Sequence, residues 1–152
     1  MLDKPNREIL NLLQADATLS VADLAESIGI SKSACWRRLQ KLDEAGFIKG
    51  RVTLLNQEQL NLTLTVYISV RTNQHNDEWA AQFRSVVTEL PQILEVNRMS
   101  GDLDYLIKAV VPDMQGYDEL YKKLIKADLF DVSSSFVMEK MKHTTRLPLD
   151  HA

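Results

Sequence analysis

The sequence predicts an α+β chain, an N-terminal winged helix-turn-helix unit followed by a C-terminal ferredoxin-like β-α-β-β-α-β unit. Three observations predict it. Residues 20–42 carry two apolar stripes at helical spacing, separated by a glycine. From residue 62 the apolar period changes from helical to two. Beyond that strand, helical stripes and alternating runs follow one another in the β-α-β-β-α-β order.

The first helix is expected from about Pro5 to Gln14, since a proline in the first turn forfeits an N–H that has no helical partner anyway. Ile9, Leu10, Leu12 and Leu13 give it a broad apolar face. In the second helix Val21, Leu24, Ala25 and Ile28 recur at i, i+3, i+4, i+7. Gly29 supplies the stop, because a helix readily ends on a residue that tolerates positive φ. Ser31 is placed to cap the third helix, whose inward stripe is Cys35, Leu39 and Leu42. Ala45-Gly46 ends this helix, Phe47-Ile48 is expected to re-enter the core, and Lys49–Leu55 alternates loosely as a short strand pair or wing.

Asn56–Asn61 reads as a polar connector. Leu62, Leu64, Val66, Ile68 and Val70 then alternate with Thr63, Thr65, Tyr67, Ser69 and Arg71, which predicts a half-buried strand. Trp79, Phe83, Val86, Val87 and Leu90 share a helix face that Pro91 terminates. Ile93–Met99 and Asp104–Val111 read as strands around a glycine-containing turn at Ser100–Asp102. Pro112-Asp113 opens a helix with the stripe Tyr117, Leu120, Tyr121, Leu124 and Ile125, and Val132–Met141 reads as the last strand. The expected divisions are 1–55 for the helical unit, 56–61 for the linker, 62–142 for the sheet unit and 143–152 for a tail. Helices on one sheet face leave the other needing cover, which a second copy in a two-fold homodimer supplies.

Charge is divided unevenly along the 152 residues. The whole chain carries −3, but residues 1–55 carry +1 and the remainder −4, and the stretch 32–51 holds six basic residues against two acidic ones. Local potential governs contact with phosphate, because screening shortens the reach of distant charge to about 8–10 Å. On the third helix Ser33, Arg37 and Gln40 project opposite the buried stripe, with Lys41 beside them and Trp36 and Arg38 on the flanks. Hydroxyl, amide and guanidinium groups on a free helix face suit base edges in a major groove. Ser33, Arg37 and Gln40 are therefore the candidate base readers. Lys32, Arg38, Lys41, Lys49 and Arg51 are candidates for phosphate or flanking contacts, and Trp36 completes the DNA-facing set.

A single cysteine, Cys35, excludes an internal disulfide and a multi-thiolate metal site. His75, His143 and His151 have no paired metal spacing, and no nucleotide-cradling or nucleophile motif occurs, so neither metal, cofactor nor catalysis is expected. No apolar run is long enough to span a bilayer and the N-terminus has no signal-peptide core, so the cytoplasm is the expected location.

The chain resembles the Lrp/AsnC family of feast/famine regulators along essentially its whole length. The resemblance rests on Leu2-Asp3-Lys4 leading into Ile9–Leu13, on Leu19-Ser20 through Ser31–Cys35, on Cys35–Asp43 with Gly46–Gly50, and on Gly101–Leu106. Pro112–Met114, Ser134–Phe136 and Lys142–Pro148 complete it. Gln40 stands where the family often has a basic residue, and Arg51 where an aromatic is common. The resemblance implies a ligand-responsive transcriptional regulator, a homodimer joined through its sheets and assembled as four dimers in an octamer. It also implies an amino-acid effector held by Met99, Gly101, Asp102, Asp104 and Tyr105 with Ser133, Ser134 and Ser135. In that setting Asp102 or Asp104 would meet the ammonium, with hydroxyls and turn amides on the carboxylate. Two alternatives remain at this point: an architectural DNA-binding protein with little ligand response, and a small-molecule-binding ferredoxin-like protein.

Overall fold

The computed structural model describes residues 2–152, which divide into two compact units. One comprises residues 2–54 with Lys142–Ala152, and the other Leu55–Met141.

The helical unit contains α1 (Lys4–Ala15), α2 (Val21–Ile28) and α3 (Lys32–Glu44). Each starts on a side chain that satisfies an otherwise unpaired backbone N–H. Asp3 accepts from Asn6 N at 2.9 Å, and Ser31 accepts from Ala34 N at 3.2 Å. At α2 the box is reciprocal: Asp23 N donates to Ser20 Oγ at 3.2 Å while Ser20 N donates to Asp23 Oδ2 at 2.8 Å. Each cap contributes about 0.5–2 kcal/mol. Gly29 ends α2 at φ 70°, and the chain turns at once into α3. Ile9, Leu10, Leu24, Ala25, Cys35 and Leu42 are buried between the helices, with Leu2 beside them.

Two expectations fail here. Lys49–Leu55 forms no strand; Val52 and Leu54 are 81% and 70% exposed, because no strand among the described residues pairs with this segment. Phe47 is half exposed, and only Ile48 packs against the core. The last ten residues are more than an appendage. Leu149 and Ala152 pack against the helical core, and the Gln14 amide grips the Leu147 backbone twice. Its Nε2 donates to Leu147 O at 2.9 Å, and its Oε1 accepts from Leu147 N at 2.8 Å.

The sheet unit runs β1 (Leu64–Arg71), α4 (Asp77–Thr88), β2 (Ile93–Arg98), β3 (Tyr105–Val111), α5 (Met114–Leu124) and β4 (Asp131–Phe136), with a 3-10 turn at Ile125–Ala127. The strands lie in the order β2-β3-β1-β4 and every neighbouring pair is antiparallel, the ferredoxin-like arrangement. Ile68 stands opposite both Ile107 and Ser134. Val66, Ile68, Val70, Ile107, Ala109 and Val111 form one core with Trp79, Phe83 and Val87 of α4 and Leu120 and Leu124 of α5. By the strand period, the other sheet face carries Tyr67, Ser69, Leu106, Lys108, Ser133 and Ser135.

β1 starts at Leu64 rather than Leu62, and β4 stops at Phe136 rather than Met141. The cause is pairing. β4 has β1 as its neighbour, their register ends at Val66 opposite Phe136, and Val137 N makes a last bond to Thr65 O at 2.9 Å. Met138 and Met141, beyond that point, are 95% and 91% exposed. Thr65, expected on the open face, is buried because Gln57 folds back onto it, donating from Nε2 to Thr65 Oγ1 at 3.0 Å.

Candidate functional site

Burial of Cys35 and Leu42 fixes the rotation of α3 and so decides which side chains face outward. Ser33, Arg37, Gln40 and Lys41 are all exposed, as expected from the period, and Trp36 is half exposed. Arg37 Nε donates to Ser33 O one turn back at 3.4 Å, which lays its stem along the helix. Ser33 Oγ lies 3.3 Å from the capping Ser31 Oγ. Lys32, Arg37, Lys41, Lys49 and Arg51 have no acidic partner among the described residues. Uncompensated surface cations around a polar helix face are what a phosphate backbone engages.

Arg38 departs from this set. Its guanidinium, expected at the phosphates, is turned onto the start of α1, where Nη1 donates to Asp3 Oδ2 at 2.6 Å and to Asn6 Oδ1 at 3.0 Å. Asp3 thus caps α1 and anchors α3 together. The Asn6 N–H and then the Arg38 guanidinium hold its carboxyl below the usual range. Arg38 therefore ties α3 to the start of α1. Burial pushes the Cys35 thiol up, which keeps it protonated and inert.

In the sheet unit Gly101 turns at φ 98°, a conformation that strains any other residue. Asp104 locks this turn to the end of β1. Its N–H donates to Val70 O at 3.0 Å, its carbonyl accepts from Met99 N at 2.8 Å, and Oδ2 accepts from Thr72 N at 2.8 Å. Asp102 is exposed and its carboxylate has no partner among the described residues, so of the two candidates for an ammonium it is the free one. Met99 is partly exposed. The Tyr105 ring is drawn away from the turn into the helix layer, with its centroid 4.7 Å from Phe83 and 5.7 Å from Trp79.

The three serines do not act from one side. Ser134 faces the helices and accepts from the Tyr117 hydroxyl at 2.6 Å, whereas Ser133 and Ser135 are exposed on the open face. Ser133 stands opposite Ser69, which stands opposite Leu106, so Ser133 occupies the turn end of the sheet. Strand alternation was a signal available for this separation; the partners of Arg38 and Ser134, distant in sequence, left none.

Comparison with known proteins adds two family matches. Residues 2–49 match a winged helix-turn-helix DNA-binding model, and residues 65–147 match the Lrp/AsnC ligand binding domain. The chain belongs to the Lrp/AsnC family. It is 45% identical to the DNA-binding transcriptional activator DecR of Escherichia coli K12 over 99% of this chain and all of that one. It is 46% identical to the glutamate uptake regulatory protein of Zymomonas mobilis, covering 97% and 91% of the two chains. Its fold matches an AsnC family regulator from Agrobacterium tumefaciens with a TM-score of 0.93, 50% identity and 98% of each chain covered. A Neisseria meningitidis regulator solved as a complex with L-Met also scores 0.93, at 33% identity and 99% coverage of each chain. As a Lrp/AsnC protein the chain is a DNA-binding transcriptional regulator with a ligand-binding domain, and not an enzyme. No helix among the described residues is long and apolar enough to cross a membrane.

Proposed function

We propose that this Lrp/AsnC protein acts in the cytoplasm as an amino-acid-responsive regulator, reading a pseudo-palindromic operator as a two-fold dimer. The observation that carries the reading is the exposed face of α3, where Ser33, Arg37 and Gln40 project between uncompensated cations. These three side chains read base edges, Lys32, Lys41, Lys49 and Arg51 meet phosphates, and Trp36 packs along the groove wall. The effector occupies the Gly101 turn, its ammonium on Asp102, with Met99 and Ser133 beside it; Ser135 lies two residues further along β4. Binding of L-Met by the Neisseria relative supports an amino acid as the ligand. Exposed Tyr67 beside Leu106 supports pairing of sheets in the dimer, and four such dimers assemble as an octamer.

The effector controls affinity by favouring one dimer-to-dimer arrangement over another, which changes the spacing offered to the two half-sites. The full-length protein, screened against the common amino acids by thermal shift and then by operator titration, tests this. An amino acid that raises the melting temperature and changes operator affinity, with both effects lost in Asp102→Asn, is the expected result. No shift with any of them would overturn the ligand reading while leaving DNA binding intact. On the DNA side, Lys49→Ala should weaken specific and random duplexes alike and reduce the salt slope by about one.

A further inference from the structure

A groove of about 610 Å³ opens between α4 and the edge strand β2, and nothing so far assigns it a role. Its lining is mixed, the apolar part supplied by Ile93 and Val96 of β2 and by the edges of the buried Phe83 and Val87 of α4, with polar groups making up the larger share. A bulge at Leu94 makes this possible: the register slips between Ile93 and Glu95, so Ile93 and Val96 both face the helix layer despite their odd spacing. Two arginines edge the groove. Arg84 rises from the α4 face that also carries Asp77 and Ala80, and Arg98 ends β2 opposite Tyr105, on the same side of the sheet. Neither guanidinium has an ion pair or hydrogen bond among the described residues.

The acids that also line the groove do not cancel these charges. Glu95 is engaged by Lys108 Nζ at 3.8 Å. Asp77 lies in the first turn of α4, where unpaired helix N–H groups favour a negative side chain. A groove with an apolar stretch of lining beside two unsatisfied guanidinium groups is complementary to a carboxylate with a short aliphatic tail.

We propose that the α4–β2 groove is a second small-molecule site, for an aliphatic carboxylate of amino-acid size, with its carboxylate on Arg84 and Arg98 and its chain on Phe83, Val87, Ile93 and Val96. It goes beyond the effector reading, because it shares only Tyr105 with the turn-and-serine set and uses neither Asp102 nor the β4 serines. An amino acid and its 2-oxo acid have this carboxylate and tail in common. They differ in the ammonium, for which Asp77 is the acceptor at the groove.

The test is calorimetric titration of the full-length protein with 4-methyl-2-oxopentanoate, with L-leucine and with the uncharged 4-methylpentanamide. Both carboxylates should bind saturably and the amide should not. Arg84→Gln and Arg98→Gln should each weaken binding about tenfold, the size expected for losing one charge-assisted hydrogen bond. Both side chains are exposed, so the fold and unliganded operator affinity should stay as in the parent. Leucine binding more tightly than the oxo acid, with the preference lost in Asp77→Asn, assigns the ammonium to Asp77; equal binding leaves the contact to the arginines, and both results support the site. In Asp102→Asn the groove should still bind. No saturable binding, binding indifferent to both arginine substitutions, or binding lost only in Asp102→Asn would overturn the proposal, and the last of these would leave the turn as the sole ligand site.

Discussion

Among the described residues the helical unit buries seven core side chains, mostly leucine and isoleucine, whereas the sheet unit buries thirteen around a four-stranded ladder. The smaller core leaves the helical unit depending on capping side chains, on the Asp3–Arg38 anchor and on a strap from the far end of the chain. The sheet unit has its polar bonds built into the strand pairing. A small core is the physical counterpart of an open surface: α3 can present a polar face only because two of its buried positions, Cys35 and Leu42, do most of the holding. The comparison teaches that residues distant in sequence hold the helical unit together: Asp3 ties α3 to α1, and Gln14 holds the returning segment.

The largest test removes equal volumes from the two cores. Ile9→Ala and Ile68→Ala, both fully buried, should each cost about 2–5 kcal/mol. In hydrogen exchange, Ile9→Ala should release the amides of α1–α3 while those of β1 and β3 keep their protection. Equal loss in both units would mean that they unfold as one body. Next in size, Arg37→Ala should lose about 1–3 kcal/mol of operator affinity, measured by titration, with its melting temperature unchanged. Ending the chain at Lys142 should lower the stability of the helical unit by about 1–2 kcal/mol, through the apolar area lost at Leu149 and Ala152, and spare the sheet unit. Arg38→Ala inverts the Arg37 pattern: helical stability falls slightly, as expected of a solvent-screened pair, while the salt slope of binding stays as it was.

The smallest effects are in pH. The carboxyls of Asp3, Asp16 and Asp23 are held low, by the N–H of Asn6, by Thr18 and by Ser20 respectively, so the folded state binds their protons less readily than the unfolded chain. Their stabilisation is present at neutral pH and is lost as pH falls through the folded values. In the sheet unit the sign reverses at Lys122, which the hydrogen bond from its ammonium to Asp118 holds high; that contribution is present at neutral pH and disappears as pH rises through the folded value. Denaturant melts across pH should therefore show an acid-sensitive helical unit that Asp3→Asn makes less sensitive. An unchanged acid limb in Asp3→Asn would remove that carboxyl from the account.

Local rules made much of this legible. Ser31 caps α3, Gly29 stops α2, and the order of elements is as the periodicity indicates, because each depends on residues within one or two turns. What escaped depends on partners. Lys49–Leu55 and Val137–Met141 alternate like strands, but no neighbouring strand meets them, and alternation without a ladder leaves exposed chain. The same holds at the sites. The outward face of α3 follows from its own period, whereas Arg38 is captured by an acid 35 residues away, and Ser134 by a tyrosine on α5. The Arg84–Arg98 groove depends on a bulge that no residue pattern announced.

The docking of Leu147–Ala152 on α1 has a consequence for biosynthesis. A nascent chain leaves the ribosome N-terminus first, so the three helices emerge early but lack the closing segment until the whole sheet unit has followed them. The domain that starts the chain is thus closed only after the other has been synthesised.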